Sequence, residues 1–263
     1  MRITIQDVID LIVGSVPGAP TEGSVDVVKA GDPSQPVTGI VTTFLATREV
    51  LQRAVDLGAN LVITHEPTFY NHLDEVDWLA ADSVYAAKRQ FINDHHLVIW
   101  RFHDYWHRHR PDGILTGTVR ALGWQNYANP ENPRLYDIPP MPLDALATSI
   151  KGKLGIHTVR VVGRPDLVCR RALLALGAME GKRQIHLLGQ PDTDVLICGE
   201  INEWEASEYA RDATYLGQSK ALIILGHANS EEAGMSWLVD WLHTRLPDVS
   251  IAHVPAGDPF RFL

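Results

Sequence analysis

Two hydrophobic rhythms alternate along this chain. Short unbroken apolar runs read as buried strands, and segments with apolar residues every three or four positions read as amphipathic helices. The first rhythm predicts strands at Val25–Ala30, Thr38–Phe44, Leu61–Ile63 and Leu97–Phe102. The second predicts helices at Ile5–Val13, from Thr47 to a stop at Gly58, at Ser83–Asp94 and at Gly113–Leu122. Thr4 with Asp7 and, later, Thr47 are helix-capping residues. Residues 68–82 carry no period and read as a loop. The same alternation returns further on: a helix near Leu143–Leu154, strands at Thr158–Val162, Arg171–Leu176 and Val195–Cys198, and a helix at Glu203–Leu216. A strand at Ala221–Leu225, a long helix to Leu246 and a strand at Val249–His253 finish the chain.

Between Trp124 and Pro142 the pattern lapses. Five prolines fall there, which reads as a link between halves. The expectation is therefore an α/β protein of two similar lobes, residues 1–128 and 129–263. A faint repeat supports it. The order strand, helix, Gly58, strand, His65 recurs as strand, helix, Gly217, strand, His227.

Composition narrows the class. The 263 residues are 45% hydrophobic and 21% charged, ordinary for a soluble globular protein. A net charge of −9 disfavours a general nucleic-acid or anionic-membrane surface, although Arg101, Arg108 and Arg110 form a local basic run. Cys169 and Cys198 lie inside apolar runs and read as buried reduced thiols, which suits the cytosol. No run of about 20 apolar residues exists to span a membrane. The N-terminus lacks a signal-peptide pattern.

The chemistry collects at strand exits. The Leu61 strand leaves into Thr64-His65-Glu66-Pro67, with Pro67 ending it. The Leu97 strand leaves into His103-Asp104-Tyr105-Trp106-His107, and the Ala221 strand into Gly226-His227, with Glu231 four residues on. In open α/β sheets ligands lie beyond such carboxyl ends. Imidazole and carboxylate donors without a nearby Cys suit Zn, Mn, Fe, Co or Ni. Six or seven donors exceed the needs of one tetrahedral ion and match two. Each residue also has a plainer reading. A strand-end His is commonly a hydrogen-bonded loop residue, and Glu231 and Glu232 would favour a helix's first turn anyway. His72, His109, His157, His186 and His243 lack partners at ligand spacing and read as surface or core. The aromatics from Trp100 to Trp106 pack the loop or stack on a ligand. Glu200 and Glu203 line the site, or Glu203 caps a helix.

These segments together resemble the Nif-three-like family of dinuclear metal-centre proteins, also named for type 2 GTP cyclohydrolase I. Gly58 to Pro67 is similar to its "GAD-strand-HHP" motif, and Trp100 to Gly113 to "strand-H-x-x-x-D". Cys198-Gly199-Glu200 is similar to "TGE", and Gly226-His227 with Glu231 to "GH-x-x-x-E". The resemblance implies two divalent ions in a cleft between two α/β lobes and a ring-shaped homohexamer. The implied ligands are His65, Glu66, His103, His107, His227 and Glu231. Two of them depart from the family: Glu66 stands for its second His, and His107 for its Asp. The count of four imidazoles and two carboxylates is unchanged, with Asp104 the substitute if His107 points away. The implied function is metal-dependent hydrolysis of a phosphorylated or nucleotide-like small molecule, with Glu66 or Glu200 as general base. The competing expectation is a non-enzymatic metal-binding scaffold or regulator acting through its ring.

Overall fold

The computed structural model describes residues 3–261. It divides into two compact α/β units. One comprises residues 1–116 and 234–256, the other residues 117–233 and 257–263, less the four terminal residues outside the described range.

The first unit is built on a five-stranded sheet of β1 (Val28–Ala30), β2 (Ile40–Thr43), β3 (Leu61–Thr64) and β4 (Val98–Arg101), completed late in the chain by Ile251–His253. The spatial order is β1, β4, β3, β2 and then Ile251–His253, with only β1 antiparallel to its neighbour. Every residue of β2, β3 and β4 is buried, which explains why they read as unbroken apolar runs rather than alternating ones. Their helices behave as the pattern predicts. In α1 (Ile5–Gly14), Thr4 and Asp7 form a reciprocal capping box. In α2 (Arg48–Asp56), capped by Thr47, the buried stripe Val50, Leu51 and Ala54 joins Val62 and Ile99 in one core cluster. Each fully buried Val, Leu or Ile there contributes roughly 1.5–3 kcal/mol. α3 (Ser83–Asp94) follows, capped by Asp82.

Between β4 and α5 (Gly113–Leu122) the structure adds a short helix that the periodicity does not show, α4 (Asp104–Arg108). It is too short for a hydrophobic stripe. What starts it is a distant residue: the buried carboxylate of Asp26 accepts the backbone N–H groups of His103 (2.8 Å), Asp104 (2.9 Å) and Tyr105 (2.7 Å). That satisfies three donors a helix start leaves open.

The second unit repeats the plan. Its sheet runs β5 (Leu135–Pro142), β7 (Val168–Ala175), β8 (Val195–Cys198), β9 (Ala221–Ile224) and β6 (Arg160–Val162). The three central strands are parallel and the two edges antiparallel. Its helices are α6 (Leu143–Leu154), α7 (Gly181–Leu188) and α8 (Glu208–Tyr215), with a π-helical turn at Glu203–Ser207 leading into α8. α9 (His227–His243) follows β9, and β10 is the Ile251–His253 strand of the first sheet.

β5 adds a strand that the reading of residues 124–142 as a link between halves does not include. Pro139, Pro140 and Pro142 lie within it, and its ladder with β7 is interrupted between Asp137 and Met141. Proline has no N–H to give a ladder, so an edge strand with a bulge is where it is tolerated.

Candidate metal centre

Strand register builds the first donor group. Thr64 of β3 pairs with Arg101 of β4, so the two strands end level and His65 leaves beside Phe102. His65, wholly buried, donates from Nδ1 to the Phe102 carbonyl at 3.1 Å. One residue past Phe102, His103 opens α4, and one helical turn later His107 lies on the same face. The three rings gather with centroids 4.6 Å (His65–His103), 5.1 Å (His65–His107) and 5.1 Å (His103–His107) apart. One ligand atom from each lies within 4.8 Å of the others.

Each of these rings has a separate acceptor for Nδ1. His103 donates to Asp104 at 3.0 Å, and His107 donates to Asp112 at 3.3 Å. Asp112 also caps α5, accepting the Leu115 N–H at 3.0 Å. Committing Nδ1 in this way sets the tautomer and leaves coordination to Nε2, the arrangement typical of metal-bound histidine. Asp104 is thereby a support for His103. Its carboxylate also accepts from the Ser24 hydroxyl (3.0 Å) and the Val25 N–H (3.2 Å). Burial would raise its pKa, but these hydrogen bonds outweigh burial and hold it below the usual carboxylate value.

Glu66 faces two ways. Its Oε1 lies 3.5 Å from His103 Nε2, and its Oε2 lies 3.4 Å from a guanidinium nitrogen of Arg101. Arg101 is wholly buried and also donates to the backbone carbonyls of His65 (3.2 Å) and His72. It is an internal clamp, and so does not belong to a basic surface with Arg108 and Arg110. Burial, with His65 close by, lowers the His103 pKa to about 3, so the ring is neutral near pH 7. With Nδ1 donating to Asp104, the Nε2 lone pair then points at a carboxylate oxygen. Two acceptors set against each other in this way suit a cation between them.

In the second unit the level ends are those of β7, β8 and β9, where Ala175 pairs with Cys198 and Cys198 with Ile224. Gly226 follows, and His227 begins α9. His227 Nδ1 lies 2.8 Å from Glu200, and its Nε2 lies 3.1 Å from Glu231 Oε2, one helical turn on. Carboxylates thus face both nitrogens of this ring. Glu231 is buried, and Gly177 makes room for it: a methyl group on Gly177 would lie 2.3 Å from Glu231 Oε1. The Ser230 hydroxyl accepts the Gly177 N–H at 3.0 Å and donates to the His227 carbonyl at 2.7 Å, tying the two turns together.

All six sequence-derived ligands thus stand at strand exits, four in the first unit and two in the second. Glu200 contacts His227 rather than open space, and Glu203 forms an exposed ion pair with Arg160 at 2.8 Å. Trp100 and Trp106 are buried, which settles their role as packing. Sequence reasoning missed Asp26, Asp112 and the clamp of Arg101. Only Asp112 left a readable trace, as an Asp just before a helix. His72, grouped with surface or core residues, is exposed, and its ring lies 6.4 Å from that of His103. The imidazole and carboxylate chemistry of the set fits a divalent transition metal.

Residues 20–258 match the family described as Duf34/NIF3 (NGG1p interacting factor 3), and the chain belongs to that family. A GTP cyclohydrolase 1 type 2 homolog from Clostridium perfringens is 23% identical, over 98% of this chain and 99% of the relative. Among solved structures, Staphylococcus aureus protein SA1388 is similar with a TM-score of 0.76 and 20% identity, covering 100% of both chains. A Bacillus cereus protein related to NIF3 is similar with a TM-score of 0.77 and 17% identity, covering 100% of this chain and 99% of the other. At these identities the structural likenesses establish the fold.

Proposed function

We propose that this Duf34/NIF3 protein is a metal-dependent hydrolase that binds two divalent transition-metal ions and acts on a phosphorylated or nucleotide-like small molecule. The observation that carries the reading is the treatment of three site histidines. His65, His103 and His107 each give Nδ1 to a separate acceptor, and so each is oriented to coordinate through Nε2. Bracing alone is not distinctive, since His109 also gives Nδ1 to the Pro111 carbonyl at 2.9 Å; what sets this group apart is that His65, His103 and His107 bring one ligand atom each within 4.8 Å of the others.

Bound divalent ions supply Lewis acidity, lowering the pKa of water and polarising a phosphoryl or carbonyl oxygen. The chain's residues supply the rest. Phe102, Asp104, Asp112 and Glu200 orient the imidazoles. Glu66 and Glu231 bring negative charge to offset that of the ions, and Arg101, 3.4 Å from Glu66, aims its carboxylate. Glu66 is the carboxylate best placed to accept a proton within the site, and Glu200 serves as the brace of His227. The nucleotide-like substrate class rests on the name of the Clostridium perfringens relative.

Metal analysis of protein purified without chelator, then a hydrolase screen with the metal found, tests the reading. Two ions per chain and metal-dependent turnover of a phosphorylated or nucleotide-like substrate are expected. Full metal loading with no turnover across the panel would favour a scaffold or regulator, and failure to bind metal after reconstitution near neutral pH would refute both.

A further inference from the structure

Beside the three gathered rings stands a fourth that the donor group leaves out. The His72 ring lies 6.4 Å from that of His103, at 87° to it, and the residue is exposed. The rings of His65, His103 and His107 are 4.6 to 5.1 Å apart and bring ligand atoms within 4.8 Å of one another, a group to which His72 does not belong. We propose that His72 is a substrate-contact residue: it donates a hydrogen bond to an oxyanion, such as a phosphate, bound at the metal centre. The proposal rests on the hydrolase reading above and adds a determinant of what the site accepts.

The loop that carries His72 is held firmly, and its anchors lead to the donors. Arg101 donates to the His72 carbonyl. The same guanidinium donates to the His65 carbonyl at 3.2 Å and pairs with Glu66 at 3.4 Å. One side chain thus fixes the His72 backbone relative to two of the candidate ligands. Two further cations hold the loop: Lys88 donates to the Thr68 carbonyl at 2.6 Å, and Lys29 pairs with Asp74 at 3.3 Å. Asp74 in turn accepts the Phe69 N–H at 2.6 Å. Asn71 closes the turn from within, accepting the Glu75 N–H at 2.9 Å and donating to the Phe69 and Glu75 carbonyls at 3.2 and 2.7 Å. Tyr70 and Asp74, two residues either side of His72, have φ of +68° and +59°. That region is unfavourable for a bulky residue such as Tyr and persists only where the surroundings impose it. Ordering a contact before the ligand arrives strengthens binding without adding an interaction.

The chemistry fits an oxyanion. The candidate ligands present lone pairs and carboxylates, so an anion reaches them only through a bound cation. Oxygens of that anion turned away from the cation need donors of their own. Arg101 is buried and committed to two carbonyls and Glu66. Neither nitrogen of the His72 ring bonds to another described residue. An imidazole keeps at least one N–H in either tautomer. His72 is therefore the donor next outward from His103.

Calorimetric titration of the zinc-loaded full chain, freed of unbound metal, with inorganic phosphate tests this. His72→Ala should bind phosphate about tenfold more weakly than wild type, the loss expected of one hydrogen bond to a charged acceptor. Its zinc content should be unchanged. His72→Gln, which keeps an N–H donor, should recover part of the affinity. Leu73→Ala, at an exposed neighbour in the same loop, should bind as wild type does, which separates loss of a contact from disturbance of the loop. Equal phosphate affinity in wild type and His72→Ala, an equal loss in Leu73→Ala, or a zinc-loaded wild type that binds no phosphate would overturn the proposal and leave the metal centre standing. Zinc lost from His72→Ala would overturn it too, by making His72 a ligand. A wild-type chain that takes up no metal would remove the hydrolase reading along with it.

Discussion

Glu231 and Glu232 are neighbours in sequence with opposite surroundings. Glu231 is buried, 3.1 Å from His227 Nε2 and set against Gly177, whereas Glu232 lies half-buried one position round the helix. On the proposed metal reading, Glu231→Ala should therefore lower metal content, and Glu232→Ala should leave it within error of wild type. Elemental analysis of the two variants decides it, and a larger loss in Glu232→Ala would mean that the helix register is misassigned. Lys88 makes a second residue-level case, away from the ligands. Its ammonium is buried, bonded to the Thr68 carbonyl at 2.6 Å, and burial lowers its pKa to about 8 while Asp74 partly opposes the shift. An unfolded lysine titrates near 10.4. Between about pH 8 and 10.4 the unfolded chain binds the extra proton, so stability rises with pH in that window, by at most about 3 kcal/mol. Lys88→Met should flatten this rise. Thermal melts of metal-free wild type and variant at pH 7.5, 9 and 10 would show it, and parallel curves would refute it.

Elements were legible where one local signal sufficed. β3 and β4 are unbroken apolar runs, and α2 carries both a cap and a stripe, so these were readable from residues alone. Three features were not, each for a physical reason. α4 depends on Asp26, about 80 residues upstream, to satisfy its first N–H groups. β5 hides behind its prolines, which only an edge position permits. β10 gives no local sign that its partner is β2, because pairing is a property of the sheet and not of the strand. The place of the candidate donors at strand ends was legible, since strand ends bearing His and Glu can be read directly, but their hydrogen-bond partners were not. At this scale the turn after β7 makes a testable case. Gly177 and Gly217 both have positive φ, +69° and +75°. A Cβ at Gly217 meets nothing within 4 Å, whereas one at Gly177 meets Glu231 Oε1 at 2.3 Å. Alanine at either position costs about 1–2 kcal/mol of backbone strain. Only Gly177→Ala should also displace Glu231 and, on the proposed metal reading, weaken metal binding. Equal metal affinity in the two variants would show that Glu231 yields without consequence.

For the whole molecule the informative surface is apolar. Among the described residues no helix is long and apolar enough to cross a membrane. Yet Trp204, Tyr215 and Leu216 in the second unit are 76%, 91% and 69% exposed, and Trp78 in the first is 65% exposed. Single exposed apolar residues need no explanation, but large aromatics are enriched in contacts between proteins. A stable contact buries about 800 Å² per partner, and a bulky ring in it contributes more than most of its neighbours. The proposed occupant is a second copy of this chain, in the closed hexameric ring that the family resemblance implies, with the −9 net charge disfavouring nucleic acid as the alternative. Light scattering should return a mass near six chains over a wide concentration range. Tyr215→Asp should reduce that mass, because a carboxylate there would be desolvated without a partner. Metal content should be unchanged, since Tyr215 ends α8 and contributes nothing to the donor sets. A monomer mass at every concentration would remove the ring, and a smaller assembly with intact metal would separate the metal chemistry from hexamer formation.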